Sequence, residues 1–269
     1  MNSDQFLGAL AADGVLLMGV VNVTPDSFSD GGRHFDHDSA VAHGLRLVEE
    51  GADIVDVGGE STRPGAEPVG LDEELRRVLP VVRVLASAGI AVSIDTRHAV
   101  VAEAAVAAGA CLVNDVSGLR DPAMREVAAR HRVPAVAMHM PVDDPATMQQ
   151  HTDYTDVVDD VVAFLRDHAA MALAEGVPAV ILDPGLGFGK TVEQNVALVR
   201  RLDELVSLGY PVMVGASRKR FFGVLTGVEP VPGAGQALAA GVQHGARLVR
   251  AHDVAAHRQA LAMWHHVAR

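Results

Sequence analysis

Short apolar runs recur along the chain at 16–23, 53–59, 91–96, 111–117, 135–140, 180–185, 211–217 and 247–253. They are nearly continuous in Val, Ile, Leu and Ala rather than alternating, which is the pattern of strands buried on both faces. Between them, apolar residues fall at helical spacing over 39–50, 71–88, 98–108, 121–131, 156–175 and 192–207, and less regular helices are predicted at 236–244 and 254–267. Connections of that length are too long for hairpins, so the strands are expected to be parallel and joined by right-handed crossovers. Eight strand–helix units in about 250 residues have the size and count of an α/β fold of the (β/α)8 TIM-barrel type. An open doubly wound sheet is the alternative, because a sequence does not show closure. One barrel domain is expected over 15–269, behind a short N-terminal extension, 1–14, too short to show how the barrel bottom is covered. The Pro/Gly-rich stretch 227–235 falls between the last two units and reads as a loop, not a linker.

The polar residues are gathered where the runs end. They are Asn22, Thr24 and Asp26; Glu60, Ser61, Thr62 and Arg63; Asp95 and Thr96; Asn114 and Asp115; His139; Asp183; Ser217, Arg218 and Lys219; and Arg250, His252 and Asp253. Any one of them has a plain structural role open to it, as Asp121 and Asp95 do as helix N-caps and Thr62 as a turn residue. Eight such clusters at successive strand ends point instead to one face, the C-terminal mouth where barrels build their sites.

Composition narrows the classes. Against 22 Lys+Arg stand 34 Asp+Glu, a formal charge of −12, which argues against a nucleic-acid partner, since that binding needs clustered cations. Hydrophobic residues at 49% supply a large core, and aromatics at 4% leave Val, Ala, Leu and Ile to fill it. A single cysteine, Cys111, excludes an intrachain disulfide and suits a reducing compartment, so the expected location is cytoplasmic. No stretch of about 18 apolar residues predicts a membrane span, and the first residues lack the basic start of an export signal.

Two motifs fail on inspection. Gly185-Leu-Gly-Phe-Gly-Lys-Thr191 would be a phosphate-binding P-loop only with glycine where Pro184 stands, and it fails the dinucleotide fingerprint at Lys190. Thirteen histidines include no HExxH and no zinc-like spacing with cysteine. What remains is a predicted ring of Asp95, Asn114 and Asp183, two carboxylates and an amide, suited to a planar heterocycle with a guanidine-like edge. Met138, Val116 and Phe188 offer walls. Arg250 and His252, two apart on one strand, point to the same side and suit a phosphate or diphosphate, with Arg218 and Lys219 beside them. Asn22 is a neutral oxygen donor for Mg²⁺ already carried by a diphosphate. The stretch 24–32 has the turn residues of a lid, with Phe28 to close it and Asp30 beside.

These residues resemble those of the dihydropteroate synthase family, the pterin-binding barrels of folate synthesis. The likeness runs from about residue 16 to 266 through Met18-Gly-Val-Val-Asn-Val-Thr-Pro-Asp-Ser-Phe-Ser-Asp-Gly-Gly32, Asp56-Val-Gly-Gly-Glu-Ser-Thr-Arg-Pro-Gly65, Ser93-Ile-Asp-Thr96, Asn114-Asp-Val-Ser-Gly118, Met138-His-Met140, Leu182-Asp-Pro-Gly-Leu-Gly-Phe-Gly-Lys190, Gly215-Ala-Ser-Arg-Lys-Arg220 and Arg250-Ala-His-Asp253. The resemblance implies condensation of (7,8-dihydropterin-6-yl)methyl diphosphate with 4-aminobenzoate, giving 7,8-dihydropteroate and diphosphate. It implies that Asp95, Asn114 and Asp183 hold the pterin, with Lys219 at the mouth and Gly215, Met138 and Phe188 lining the pocket. Asn22, Arg250 and His252 would bind the diphosphate and Mg²⁺, and Thr62, Arg63 and Pro64, with Ser217 and Lys219, would frame 4-aminobenzoate, the site sulfonamides take in the family. Asp95, Lys219, Arg250 and His252 are the residues it implies in catalysis.

Two other readings stay open at this point. A pterin-dependent methyltransferase of the same barrel group would share the ring but has no use for Ser217, Lys219, Arg250 and His252; a non-catalytic pterin-binding relative should have lost polar site residues, and none is missing. The sequence departs from the family pattern at Ala251, usually valine, and at Gly233-Ala-Gly-Gln236, where a Gly-Ser or Gly-Thr usually starts a helix; losing that cap costs about 1 kcal/mol. The resemblance also implies a homodimer, with Leu261 and Trp264 as a candidate contact that equally suits packing on their own barrel.

Overall fold

The computed structural model describes residues 1–12, 14–24, 37–61, 68–215, 217, 219, 221, 223–224 and 241–267. The apolar runs form eight strands: β1 (Leu16–Asn22), β2 (Ile54–Gly58), β3 (Val92–Asp95), β4 (Leu112–Asp115), β5 (Ala135–Met138), β6 (Val180–Asp183), β7 (Met213–Val214) and β8 (Leu248–Ala251). Every ladder is parallel, in the order β6-β5-β4-β3-β2-β1-β8-β7. A parallel bridge from Leu182 to Val212 joins the two ends, and the Leu182 N–H donates to Pro211 O at 2.9 Å. The sheet is therefore a nearly closed barrel and not an open doubly wound one. Strand seven is far shorter than the predicted 211–217. Pro211 has no N–H to give a ladder, and regular pairing spans only Met213 and Val214.

α1 (Ser3–Ala11) precedes the barrel, and the other described helices wrap its outside: α2 (His37–Glu49), α3 (Leu71–Ser87), α4 (Ala99–Ala107), α5 (Pro122–His131), α6 (Val157–Ala174), α7 (Val192–Arg200), α8 (Leu202–Val206) and α9 (Val254–Val267). Local chemistry sets several starts. Asp121 caps α5 with Pro122 following, Asp156 caps α6, and Thr191 with Gln194 makes a capping box on α7. The single helix predicted over 192–207 is two. Arg201 leaves the helical conformation and sends its guanidinium to Asp156 (2.7 Å), Asp159 (3.0 Å) and Glu204 (2.6 Å). Of the helix predicted over 236–244, a short 3-10 turn at Val242–His244 is described; the altered stretch 233–236 lies outside the described residues.

Strand periodicity divides the core into two layers. Leu17, Val21, Val55, Val57, Val113, Ala135, Leu182 and Val249 point outward into the helices. The alternate positions Met18, Ile54, Leu112, Val136, Ile181, Met213 and Leu248 point inward at the lower end of the barrel. That end is closed by α1, whose Phe6 (1% exposed) and Leu10 (3%) pack onto this inner layer. Asn2 and Gln5 form a capping box on α1, Ser3 Oγ donates to Cys111 O at 3.1 Å, and Arg247 donates to Leu10 O at 3.0 Å. The segment that left the barrel bottom open in the sequence is its plug. Leu261 and Trp264 of α9 belong to the barrel's own core, while Met263 faces solvent at 65% exposure.

Candidate active site

Two residues beyond each inward apolar side chain, the pleat must place another inward side chain, closer to the C-terminal mouth. Those positions are Val20, Asp56, Asn114, Met138, Asp183, Gly215 and Arg250, and a further step from Ser93 brings in Asp95. Most strands thus change from an apolar layer to a polar one within a single pleat, and the site is built on strand backbone.

Arg250 is the centre of this layer. Its Nε donates to Asp56 Oδ2 at 2.6 Å and its Nη2 to Asp95 Oδ2 at 2.7 Å, while Asn114 Nδ2 donates to Asp56 Oδ2 at 3.0 Å. Burial opposes the Arg250 charge, but Asp56 and Asp95 more than offset it and hold its pKa above the ordinary value. Burial pushes Asp95 up to about 7; Arg250 pulls it down, and Asp56, Glu74 and Asp115 push it further up. Asp183 is also raised by burial, against a Gly185 N–H that donates to its Oδ1 at 2.7 Å. Gly215 lies against this pair: a Cβ there would sit 3.9 Å from both Arg250 Cβ and Asp183 Oδ2.

One wall is apolar. Val116, Met138, Met140 and Met148 cluster with Phe188, and the Lys219 ammonium stands 4.4 Å from the centre of the Phe188 ring. Across the mouth, Ser217 Oγ accepts from the His252 backbone N–H at 3.3 Å and lies 3.4 Å from its Nδ1. Asn22 ends β1 half-buried, its Cα paired with Gly58.

The expected ring of Asp95, Asn114 and Asp183 therefore converges, with Met138, Phe188, Gly215, Ser217, Lys219, Arg250 and His252 around it. Thr62, Arg63, Pro64, Phe28 and Asp30 lie outside the described residues. Three side chains have partners of their own. Arg250, expected with His252 to hold a diphosphate, is also laced into the carboxylates Asp56 and Asp95. Asp115 does not reach the ring, because its oxygens accept from Ser117 N (2.8 Å), Ser117 Oγ (2.9 Å) and Leu119 N (2.9 Å) to shape its own turn. His139 also turns away, against Phe164 and Tyr154. Asp56 was not singled out by its residue type in the sequence, although a carboxylate two residues from Ile54 inside a buried strand is the signal that would have found it.

Two neighbouring features are separate from the ring. Glu60, Glu74 and His98 place ligand atoms within 4.8 Å of one another, the spacing of a metal cluster among the described residues. Their carboxylate oxygens are already taken: Glu74 by Thr96 and His98 at 2.7 Å each, Glu60 by Arg97 at 3.3 Å and Val69 N at 3.2 Å. A polar cavity of about 380 Å³ on the rim is lined by Arg97, His98, Ser117, Arg120, Asp121 and Asp143. Arg120 is committed there to Ser117 O and Met140 O, so the cavity is rim and the ring is the site.

Chemically, the mouth offers hydrogen-bond acceptors for an N–H-rich heterocyclic edge, an apolar wall for its face, and cations beside them for an anion. Comparison with known proteins agrees in kind. Residues 18–252 match the family described as pterin binding enzyme. A dihydropteroate synthase of Mycobacterium leprae is 50% identical over 259 residues, 92% of this chain and 91% of that protein. A probable bifunctional folylpolyglutamate synthase/dihydropteroate synthase of Haloferax volcanii is 48% identical over 90% of this chain, which spans only 29% of that longer protein. Among solved structures, Xanthomonas albilineans dihydropteroate synthase with 4-aminobenzoic acid superposes with a TM-score of 0.88 at 48% identity, covering 95% of this chain and 94% of that one. The same enzyme with 7,8-dihydropteroate gives 0.84 at 45% identity, with 95% and 94% covered.

Proposed function

The chain belongs to the pterin-binding enzyme family, and from that premise we propose that it is a transferase making 7,8-dihydropteroate from (7,8-dihydropterin-6-yl)methyl diphosphate and 4-aminobenzoate. The observation that carries this reading is the single mouth where Asp183, Asn114 and Asp95 meet Arg250.

Asp183, held by Gly185 at Oδ1, keeps Oδ2 for the N–H groups of the guanidine-like pterin edge, and Asn114 serves the rest of that edge. Phe188 and Met138 cover the ring face, and Lys219 stands over its outer end. Arg250 has five N–H donors, and Asp56 and Asp95 use two of them. The rest, with His252, face the leaving diphosphate. As the bond from the pterin methylene to diphosphate oxygen breaks, positive charge grows on the methylene and ring, where ionised Asp95 stabilises it. The amine nitrogen of 4-aminobenzoate, framed by Thr62, Arg63, Pro64, Ser217 and Lys219, then forms the new C–N bond and gives up a proton. Orientation serves this weak nucleophile more than a general base does.

The donor chemistry also fits magnesium. Asn22 is a neutral oxygen donor at the end of β1, suited to an ion that keeps most of its ligands from diphosphate and water. When bound, Mg²⁺ would neutralise diphosphate charge and favour its departure. A cytoplasmic homodimer completes the reading. The single cysteine, the buried Cys111, supports the compartment. No described helix is long and apolar enough to cross a membrane. Among the described side chains of α9, Met263 is exposed beside Leu261 and Trp264 and extends the candidate contact for a second copy.

The test is diphosphate release by the purified protein with Mg²⁺. Release that depends on both the dihydropterin diphosphate and 4-aminobenzoate is expected; none, or release indifferent to 4-aminobenzoate, would overturn the assignment.

A further inference from the structure

The sixth βα loop contains a buried cation that the reaction as described does not use. Lys190 is 6% exposed, and its ammonium sits 3.0 Å from His139 Nδ1, 3.0 Å from Gly185 O and 2.9 Å from Phe188 O. An ammonium has three protons to donate, and three acceptors lie within 3.0 Å of it, with His139 O further off at 3.4 Å. Burial holds His139 neutral, pushing it down to about 2, and the Lys190 ammonium 3.0 Å from Nδ1 assigns that nitrogen as the acceptor and the ring hydrogen to Nε2. The same burial lowers Lys190 to about 7.

We propose that Lys190 is a positioning residue for recognition of the heterocycle, clamping the fifth and sixth βα loops so that Asp183 and Phe188 present a fixed edge and face. The clamp joins backbones already in contact: Gly185 has φ of +66°, and a Cβ there would lie 1.9 Å from His139 O. Gly185 receives Lys190 at its carbonyl and, through its own N–H, holds Asp183 Oδ1 at 2.7 Å. Phe188 receives Lys190 at its carbonyl, and its ring supports the Lys219 ammonium. One buried cation thus fixes the rotamer of the pterin-facing carboxylate, the wall and, through the wall, a cation of the mouth. Its positive charge also favours ionised Asp183, against the burial that opposes it. Desolvating an ammonium is costly, and a loop that needed only filling would be served by an apolar side chain.

The inference rests on the proposed function, and the experiment separates the two. Wild type, Lys190→Met and Leu165→Ala are titrated calorimetrically with the dihydropterin diphosphate in the absence of 4-aminobenzoate, so that binding is read without turnover. Leu165 is a fully buried residue of α6 on the helix side of the barrel wall and serves as the purely structural control. Lys190→Met is expected to weaken the dissociation constant by about tenfold, as loss of a residue supporting a direct ligand does, and Leu165→Ala by less than threefold. In steady state the KM for the dihydropterin diphosphate should rise by the same factor while that for 4-aminobenzoate moves less than threefold. Weakening below fivefold in Lys190→Met, or equal weakening in Leu165→Ala, overturns the role of Lys190. Should Lys190→Met not fold, His139→Leu, which removes one of the three acceptors, is read against the same thresholds. A wild-type protein that fails to bind the dihydropterin diphosphate overturns the function itself.

Discussion

Asp95 is where activity and stability pull apart. Its carboxyl is pushed from 3.8 to about 7 by burial, with Arg250 opposing and Asp56 adding to the shift. The folded value lies above the unfolded one, so this group favours the ligand-free fold most below pH 3.8, and that contribution is lost as pH rises to about 7. The proposed reaction uses the opposite form, the carboxylate that would steady the cation. The acid limb of kcat/KM for the dihydropterin diphosphate should therefore fall about tenfold per pH unit below about 7. Asp95→Asn should abolish that limb and lower turnover at least about a hundredfold, the scale of one preorganised electrostatic group. A limb unchanged in Asp95→Asn assigns it elsewhere. The strand-end position of Asp95, Asn114 and Asp183 made them legible in the sequence. The same rule over-reached for Asp115 and His139, whose side chains the local turn and an aromatic pocket turn away. Asp56 was obscured because a strand position reveals its partner only when the eighth strand closes beside the first.

At the scale of elements, the strand count, the parallel sense and six helix positions followed from periodicity because long apolar repeats leave few other ways to bury them. Two departures have physical causes that periodicity does not carry. The break at Arg201 comes from ion pairs to α6, a long-range interaction, and the shortness of β7 from Pro211. The N-terminal helix is the clearest gain from structure: its capping box was written in Asn2 and Gln5, but its role depended on a hole that only the closed barrel creates. Phe6→Ala should lower the unfolding free energy by about 3–5 kcal/mol, the usual cost of emptying a buried aromatic site. Chemical denaturation checks this, and KM for both substrates should be unchanged because the plug lies at the opposite end from the mouth. A loss of activity without loss of stability would contradict that separation.

For the whole molecule, the formal charge of −12 describes the surface and not the character of the site. Acidic groups inside the mouth surround one arginine, with Lys219 and His252 near it, so an anion meets local cations focused at one end of an acidic protein. The barrel separates the tasks: apolar residues close the lower end, and one pleat higher most inward side chains turn polar. The proposed joining of two substrates at this mouth through Arg250-assisted diphosphate departure is tested most directly by following 7,8-dihydropteroate and diphosphate together in wild type and Arg250→Ala. Equal amounts of the two products are expected from wild type, and a rate at least about a hundredfold lower in Arg250→Ala. Diphosphate without dihydropteroate in wild type, or a near wild-type rate in Arg250→Ala, would contradict it.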